Sequence, residues 1–162
     1  MTDKLIFAAA DFFAGDPKRI QHFLKVHELA RLIGAAEGLN GEELLTLEAA
    51  AVVHDVGIKP AEEKYGNCSG KLQEQEGPAA AEPLLRNCGF SESVIQRVLW
   101  LVAHHHTYDG IDGLDYRILV EADFLVNLYE DGADGEAVKA ALDKVFRTGT
   151  GIRLCRTFFG IL

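Results

Sequence analysis

The side chains of this sequence that could do chemistry are imidazoles and carboxylates set into apolar helical stretches. His22 lies in HFLKVHELA, with Val26 and Ala30 at four-residue steps, so its ring shares a helix face with side chains bound for a core. A polar ring on such a stripe needs a partner. His27, five residues on, points about 140° away. His54-Asp55 closes LEAAAVV, an almost wholly apolar run, and Gly57 follows at once. A carboxylate buried there costs several kcal/mol unless it is paired or bound to a metal. Asp123 sits in ILVEADFLVNL, where an aspartate is unfavourable for both helix propensity and burial. Glu121, two residues away, faces elsewhere on a helix. His104, His105 and His106 end the apolar VIQRVLWLVA. Three adjacent rings cannot all face one point, and at most two can share a site.

Each signal alone has a plain explanation. His22 reads as a core histidine with a local hydrogen bond, His54-Asp55 as a helix end favoured by its dipole, Asp123 as bonded to a neighbouring helix, and the three histidines as a solvated terminus. Together they point further. Five of the six histidines and two acids lie on or beside apolar helix faces. Imidazole and carboxylate make a nitrogen and oxygen donor set without sulfur, which suits Mn, Fe, Co, Ni or Zn. Such an ion lowers the pKa of a bound water and polarises a phosphoryl oxygen.

The elements that must position these groups read as helices. Asp16-Pro17 is a start signal, with Asp as N-cap and Pro at N1. The stripe Ile20, Phe23, Val26, Ala30 and Ile33 predicts a helix to about residue 37, ended by Gly38. Asn40 caps a helix through about Val56, stopped by Gly57. Residues 60–72 are polar and glycine-bearing, which predicts an irregular loop. Helices follow over about 73–87, from Ser91 into the three histidines, over 114–130 after the turn-rich TYDGIDG, and over 134–146. The end, from RTGTG onward, reads as short helix or irregular, with Phe158 and Phe159 packing on the bundle. No alternating strand pattern occurs. The expected fold is all-α, a helical bundle forming one domain over 1–162.

Composition limits the function. The length suits one domain, and 48% apolar with 25% charged residues reads as globular. A formal charge of −9 repels phosphate backbones, so a nucleic-acid polymer is not an expected partner. No apolar run reaches the length of a membrane span, and the N-terminus lacks the charge pattern of a signal peptide. Cys68, Cys88 and Cys155 are odd in number and widely spaced, and read as reduced thiols of a cytoplasmic protein.

The ordered set His22, His54-Asp55 and Asp123 resembles the HD superfamily of metal-dependent phosphohydrolases. RIQHFLKVHELA resembles its first ligand helix, AAAVVHDVGI its HD helix and turn, and ILVEADFLVNL its last ligand helix, so the likeness covers about residues 16–130, followed by a C-terminal extension over 134–162. The resemblance implies that His22, His54, Asp55 and Asp123 hold one divalent ion (Mn, Fe, Co, Ni, Zn or Mg). HHHTYDGIDG looks like the paired-histidine segment of members with more than one metal. That alignment makes His104 and His105 candidate ligands of a second ion. Glu76 stands where such members have another histidine. Lys59 is the candidate for holding a substrate phosphate, although related proteins often place a lysine one position earlier, where this chain has Ile58. The GYP element of the cyclic-dinucleotide-cleaving branch is not intact, because IDGLDY follows Asp109-Gly110.

The resemblance further implies hydrolysis of a small phosphorylated molecule, a phosphate ester or nucleotide. Asp55 would polarise the attacking water, one of His104 to His106 would protonate the leaving oxygen, and Asp109 would orient that histidine or touch substrate. Two other outcomes stay open: a di-iron oxygenase, which needs a full second ligand set, and a non-catalytic metal- or nucleotide-binding module. The C-terminal tail would serve as a homodimer contact if it does not simply pack on the bundle.

Overall fold

A computed structural model describes residues 1–161, which form nine helices and no strand. They are α1 (Thr2–Phe12), α2 (Pro17–Ala36), α3 (Gly41–Val53), α4 (Ile58–Tyr65), α5 (Gly70–Asn87), α6 (Glu92–Val102), α7 (Leu114–Glu130), α8 (Gly135–Val145) and α9 (Gly149–Phe159). No helix among the described residues is long and apolar enough to cross a membrane.

Local chemistry sets most of the boundaries. The Asp16 side chain accepts a bond from Arg19 N, and Pro17 opens α2, where a missing N–H costs nothing. Ser91 caps α6 through Val94 N, and Asp134 caps α8 through Ala137 N. Asn40 holds the N-cap position of α3, but its side chain makes no cap bond. Its Nδ2 donates to Gly38 O instead.

The centre of the bundle is α3. Leu47, Ala49, Ala50, Ala51, Val52 and Val53 are all buried, because α1, α2, α6 and α7 surround it. Each large aliphatic side chain fully buried there contributes about 1.5–3 kcal/mol. Alanine on several faces lets the neighbouring helices approach closely. The turn after α3, carrying His54 and Asp55, therefore lies inside the protein.

One segment differs from the sequence expectation, and the two ends of the chain gain definite helices. Residues 60–72 are not an irregular loop: α4 covers the first half, and α5 begins at Gly70. Pro60 falls in the first turn of α4, where proline is tolerated, Ala61 anchors the helix in the core, and Gly66, at φ 70°, ends it. The apolar N-terminal run forms α1, which buries Leu5 and Ala9. The segment from RTGTG onward is a full helix, α9, with Thr148 as its cap and Cys155 in the core.

Two carboxylates hold the start of α9. Glu121, fully buried on α7, accepts bonds from Arg147 N at 2.6 Å, Thr148 N at 3.0 Å and Thr148 Oγ1 at 2.5 Å. Glu37, at the end of α2, accepts from Thr150 N at 2.7 Å. Unpaired N–H groups and a positive dipole end make a helix start a favourable place for carboxylates. Gly151 is needed there, because a Cβ would run into Thr148 Oγ1 and the Glu121 carboxylate.

Candidate metal centre

Four donors from three helices converge. His22 comes from the second turn of α2, His54 and Asp55 from the turn after α3, and Asp123 from the middle of α7. His22 Nε2 lies 3.3 Å from His54 Nε2, 3.1 Å from Asp123 Oδ1 and 3.4 Å from Asp55 Oδ2. His54 Nε2 lies 3.5 Å from Asp55 Oδ2 and 3.5 Å from Asp123 Oδ1.

Each ring is oriented by its other nitrogen. His54 Nδ1 donates to Ala51 O at 2.8 Å, a carbonyl left free where the helix ends. His22 Nδ1 faces Glu130 Oε2 at 3.0 Å. A carbonyl and a carboxylate only accept, so both Nδ1 atoms carry the hydrogen and both Nε2 atoms turn toward the centre. Asn127 Nδ2 fixes Asp123 by donating to Oδ1 at 2.9 Å.

Two ring nitrogens and two carboxylate oxygens crowded together need a positive charge between them. Donors about 2.0–2.2 Å from one divalent ion stand about 3–3.5 Å from each other, which matches the observed separations. In the absence of a cation, protons answer the same demand. Burial opposes charge on His54, but Asp55 and Asp123 outweigh it and raise its pKa to about 9. His22 is raised in the same way against burial, chiefly by its bond to Asp123. Burial would push Asp55 up, yet His54 and His105 bring it down to about 2, and the two histidines hold Asp123 far below the usual carboxylate range.

A second group begins at the other oxygen of Asp55. His105 Nδ1 donates to Val102 O at 2.8 Å, and its Nε2, buried and without a hydrogen-bond partner, lies 3.5 Å from Asp55 Oδ1. One nitrogen of His106 completes a set with Asp55 and His105 in which all donor atoms lie within 4.8 Å of one another. The orphaned nitrogen and the divided carboxylate fit a second cation. Burial and the neighbouring His105 press the His106 pKa down to about 4, so this ring is neutral at ordinary pH.

Four candidate residues lie apart from the two donor groups. The histidine pair is displaced by one position: His104 donates Nδ1 to Trp100 O at 2.7 Å and stacks on Trp100 at 4.2 Å, so it takes no part in either group, and His106 does. Once the turn begins, successive side chains diverge and a helical register no longer predicts them. Glu76 is buried but bonded to Lys64, Tyr65 and Gln75, apart from both donor groups. From the same helix Gln73 holds His106 Nε2 at 3.0 Å, and Glu74 accepts from His106 N at 3.0 Å. Lys59 points to α1, donating to Phe12 O at 3.1 Å over the Phe12 ring. Asp109 is exposed and bonds no histidine. The acids that anchor its loop are Asp112 and Asp115, both held by Arg97.

Residues missed in the sequence line the opening. A depression of about 260 Å³ above the donors is walled by Asp16, Lys18, Arg19, Ile58, Asn127 and Glu130. Arg19 is three residues before His22, one turn earlier on the same face. Asn127 and Glu130 are four and seven residues after Asp123, again one face. Helical spacing could have named all three. A larger depression of about 490 Å³ between α2, α7 and α9 is apolar, lined by Leu29, Leu125, Val126, Tyr129, Phe158 and Phe159, and contains no metal-binding group.

The sequence profile of the HD domain family matches residues 19–139. The fold is similar to the crystal structure of a predicted HD superfamily hydrolase from an uncultured Thermotogales bacterium, with a TM-score of 0.67 and 25% identity, covering 96% of this chain and 83% of that one. No curated protein matches the chain.

Proposed function

Because the chain belongs to the HD domain family, a family of metal-dependent hydrolases, we propose that it hydrolyses the phosphate ester of a small molecule such as a nucleotide. The observation that carries this reading is the convergence of His22, His54, Asp55 and Asp123, at 3.1–3.5 Å, beneath a depression with cationic side chains on its rim. His22, His54, Asp55 and Asp123 would hold the first ion, and Asp55, His105 and His106 a second. A bound divalent ion supplies Lewis acidity to a phosphoryl oxygen and makes water acidic enough to attack near neutral pH.

The chain's own groups supply the rest. Arg19 lies on the rim and offers a planar, permanently charged donor to a phosphate, while Asp16 and Glu62 hold its guanidinium in place. Lys18 adds a second positive charge beside it. With only the first ion bound, Asp55 Oδ1 faces a free His105 Nε2, so the pair can take a proton from water and pass it to the leaving oxygen. Ile58 makes one wall apolar. A depression of this size suits a small ester.

The test is turnover of a panel of phosphomonoesters and nucleotides with Mn²⁺ or Co²⁺, together with elemental analysis. His54→Ala and Asp55→Ala should lose bound metal and turnover together, and activity retained in those metal-free variants would refute the proposal. The group Asp55–His105–His106 also favours a second reading, oxidation at two irons. Substrate-dependent oxygen consumption by iron-loaded protein, with no phosphate released, would select that reading.

A further inference from the structure

We propose that Glu130 is the positioning residue of the metal centre, that it fixes the tautomer of His22, and that Lys25 moderates its effect. The proposal rests on the metal-binding reading of the site. The three inward-facing histidines differ in how they are held. His54 and His105 follow helix ends, where free backbone carbonyls, Ala51 O and Val102 O, take their Nδ1–H groups at 2.8 Å. His22 lies inside α2, where carbonyl groups are already committed to the helix. Its ring has no local acceptor, so the acceptor comes from another helix: Glu130 Oε2, 3.0 Å away and 108 residues later.

The acceptor also differs in kind. A carboxylate draws the Nδ1 proton more strongly than a carbonyl does, and so raises electron density at Nε2, which faces the centre. Glu130 stands two turns beyond Asp123 on α7. One helix thus provides one ligand and orients another. The second oxygen of Glu130 is occupied, with Oε1 accepting from Lys25 Nζ at 2.8 Å. Lys25 is three residues after His22 on α2, and its ammonium also lies 5.7 Å from the centre of the Tyr129 ring. It competes for the charge of Glu130, so the His22–Glu130–Lys25 chain moderates the affinity of the site.

The experiment measures the dissociation constant of Zn²⁺ or Mn²⁺ by competition with a chromophoric chelator, with unfolding curves as the check on folding. Glu130→Ala should weaken binding about 10–100-fold. Glu130→Gln keeps an oxygen acceptor and should lose less. Lys25→Met frees the carboxylate and should bind the ion more tightly than wild type, and the gain should disappear when Glu130→Ala is added, which separates release of the carboxylate from loss of a nearby positive charge. Glu130→Ala within twofold of wild type, or Lys25→Met weaker than wild type, would overturn the proposal. His54→Ala separates the two levels: if wild type and His54→Ala both fail to bind the ion, the metal-binding reading itself is wrong. If only His54→Ala fails while Glu130→Ala binds normally, the reading stands and Glu130 has no such role.

Discussion

Exchange of His54 for glutamine, followed as stability against pH in the metal-free protein, isolates the electrostatics of the centre. The ring is fully buried, with Nε2 at 3.5 Å from both Asp55 Oδ2 and Asp123 Oδ1. Burial resists its charge, but the carboxylates prevail and the folded-state pKa is about 9, against about 6.5 in an unfolded chain. A proton held more tightly by the folded state stabilises it. That contribution is complete below pH about 6.5 and is lost as the pH rises through the folded value, on the order of 3 kcal/mol in all. For a chain of this length the melting temperature should fall by about 6–12 °C across that window.

Other groups do not blur the result. His106 and His27, both lowered by burial, change the balance only toward acid, and Cys155, pushed up to about 11, acts mostly above the window. The assay is urea unfolding of EDTA-treated protein between pH 6.5 and 9. His54→Gln should flatten the slope to the share carried by His22. Protons and a divalent ion compete for the same nitrogens, so stabilisation by added ion should grow with pH in wild type. Stability of the metal-free protein that stays level or rises over this range, or a wild-type slope in His54→Gln, would refute the reasoning.

Three further outcomes follow from the geometry. Tyr116→Phe removes the hydroxyl that bonds His104 O and Thr107 O; it should cost about 1–3 kcal/mol in urea unfolding and loosen the His105–His106 turn, weakening a second equivalent of metal more than the first. Gly57→Ala would drive a Cβ against Gln73 O and to 2.8 Å from Gly77 N, backbone that cannot yield; a loss of about 2–4 kcal/mol is expected, with weaker metal binding from the displaced His54–Asp55 turn. Arg19→Ala should raise KM for a phosphorylated substrate about 10–100-fold, because a charged hydrogen bond is lost, whereas Lys59→Ala should change steady-state kinetics less than twofold.

The sequence was most legible where burial and charge conflict. His22, His54 and Asp123 stand out because a polar side chain on an apolar helical stripe demands an explanation, and helical period places each on an inward face. The same period is blind past a helix end. The turn after α6 sends His104 against Trp100 and His105 and His106 toward Asp55, and no spacing rule encodes that divergence. Glu76 matched a ligand position only by alignment; its carboxylate is claimed by Lys64 and Tyr65, neither adjacent to it in sequence. The helix α4 was hidden by its short, polar composition, since only Ala61 of its eight residues is buried. Glu130 and Arg19 were within reach, because both keep helical register with a ligand.

The clasp around Glu121 extends the folding unit past the segment that defines the family. The matched profile stops at residue 139, yet the donors that satisfy this buried carboxylate come from residues 147 and 148. A polypeptide trimmed at the profile boundary would leave a bare negative charge in the interior, two residues from Asp123. During synthesis the same helix has to wait for residues 147 and 148 to emerge before its polar interior can settle, so a stretch beyond the matched profile completes the protein's core.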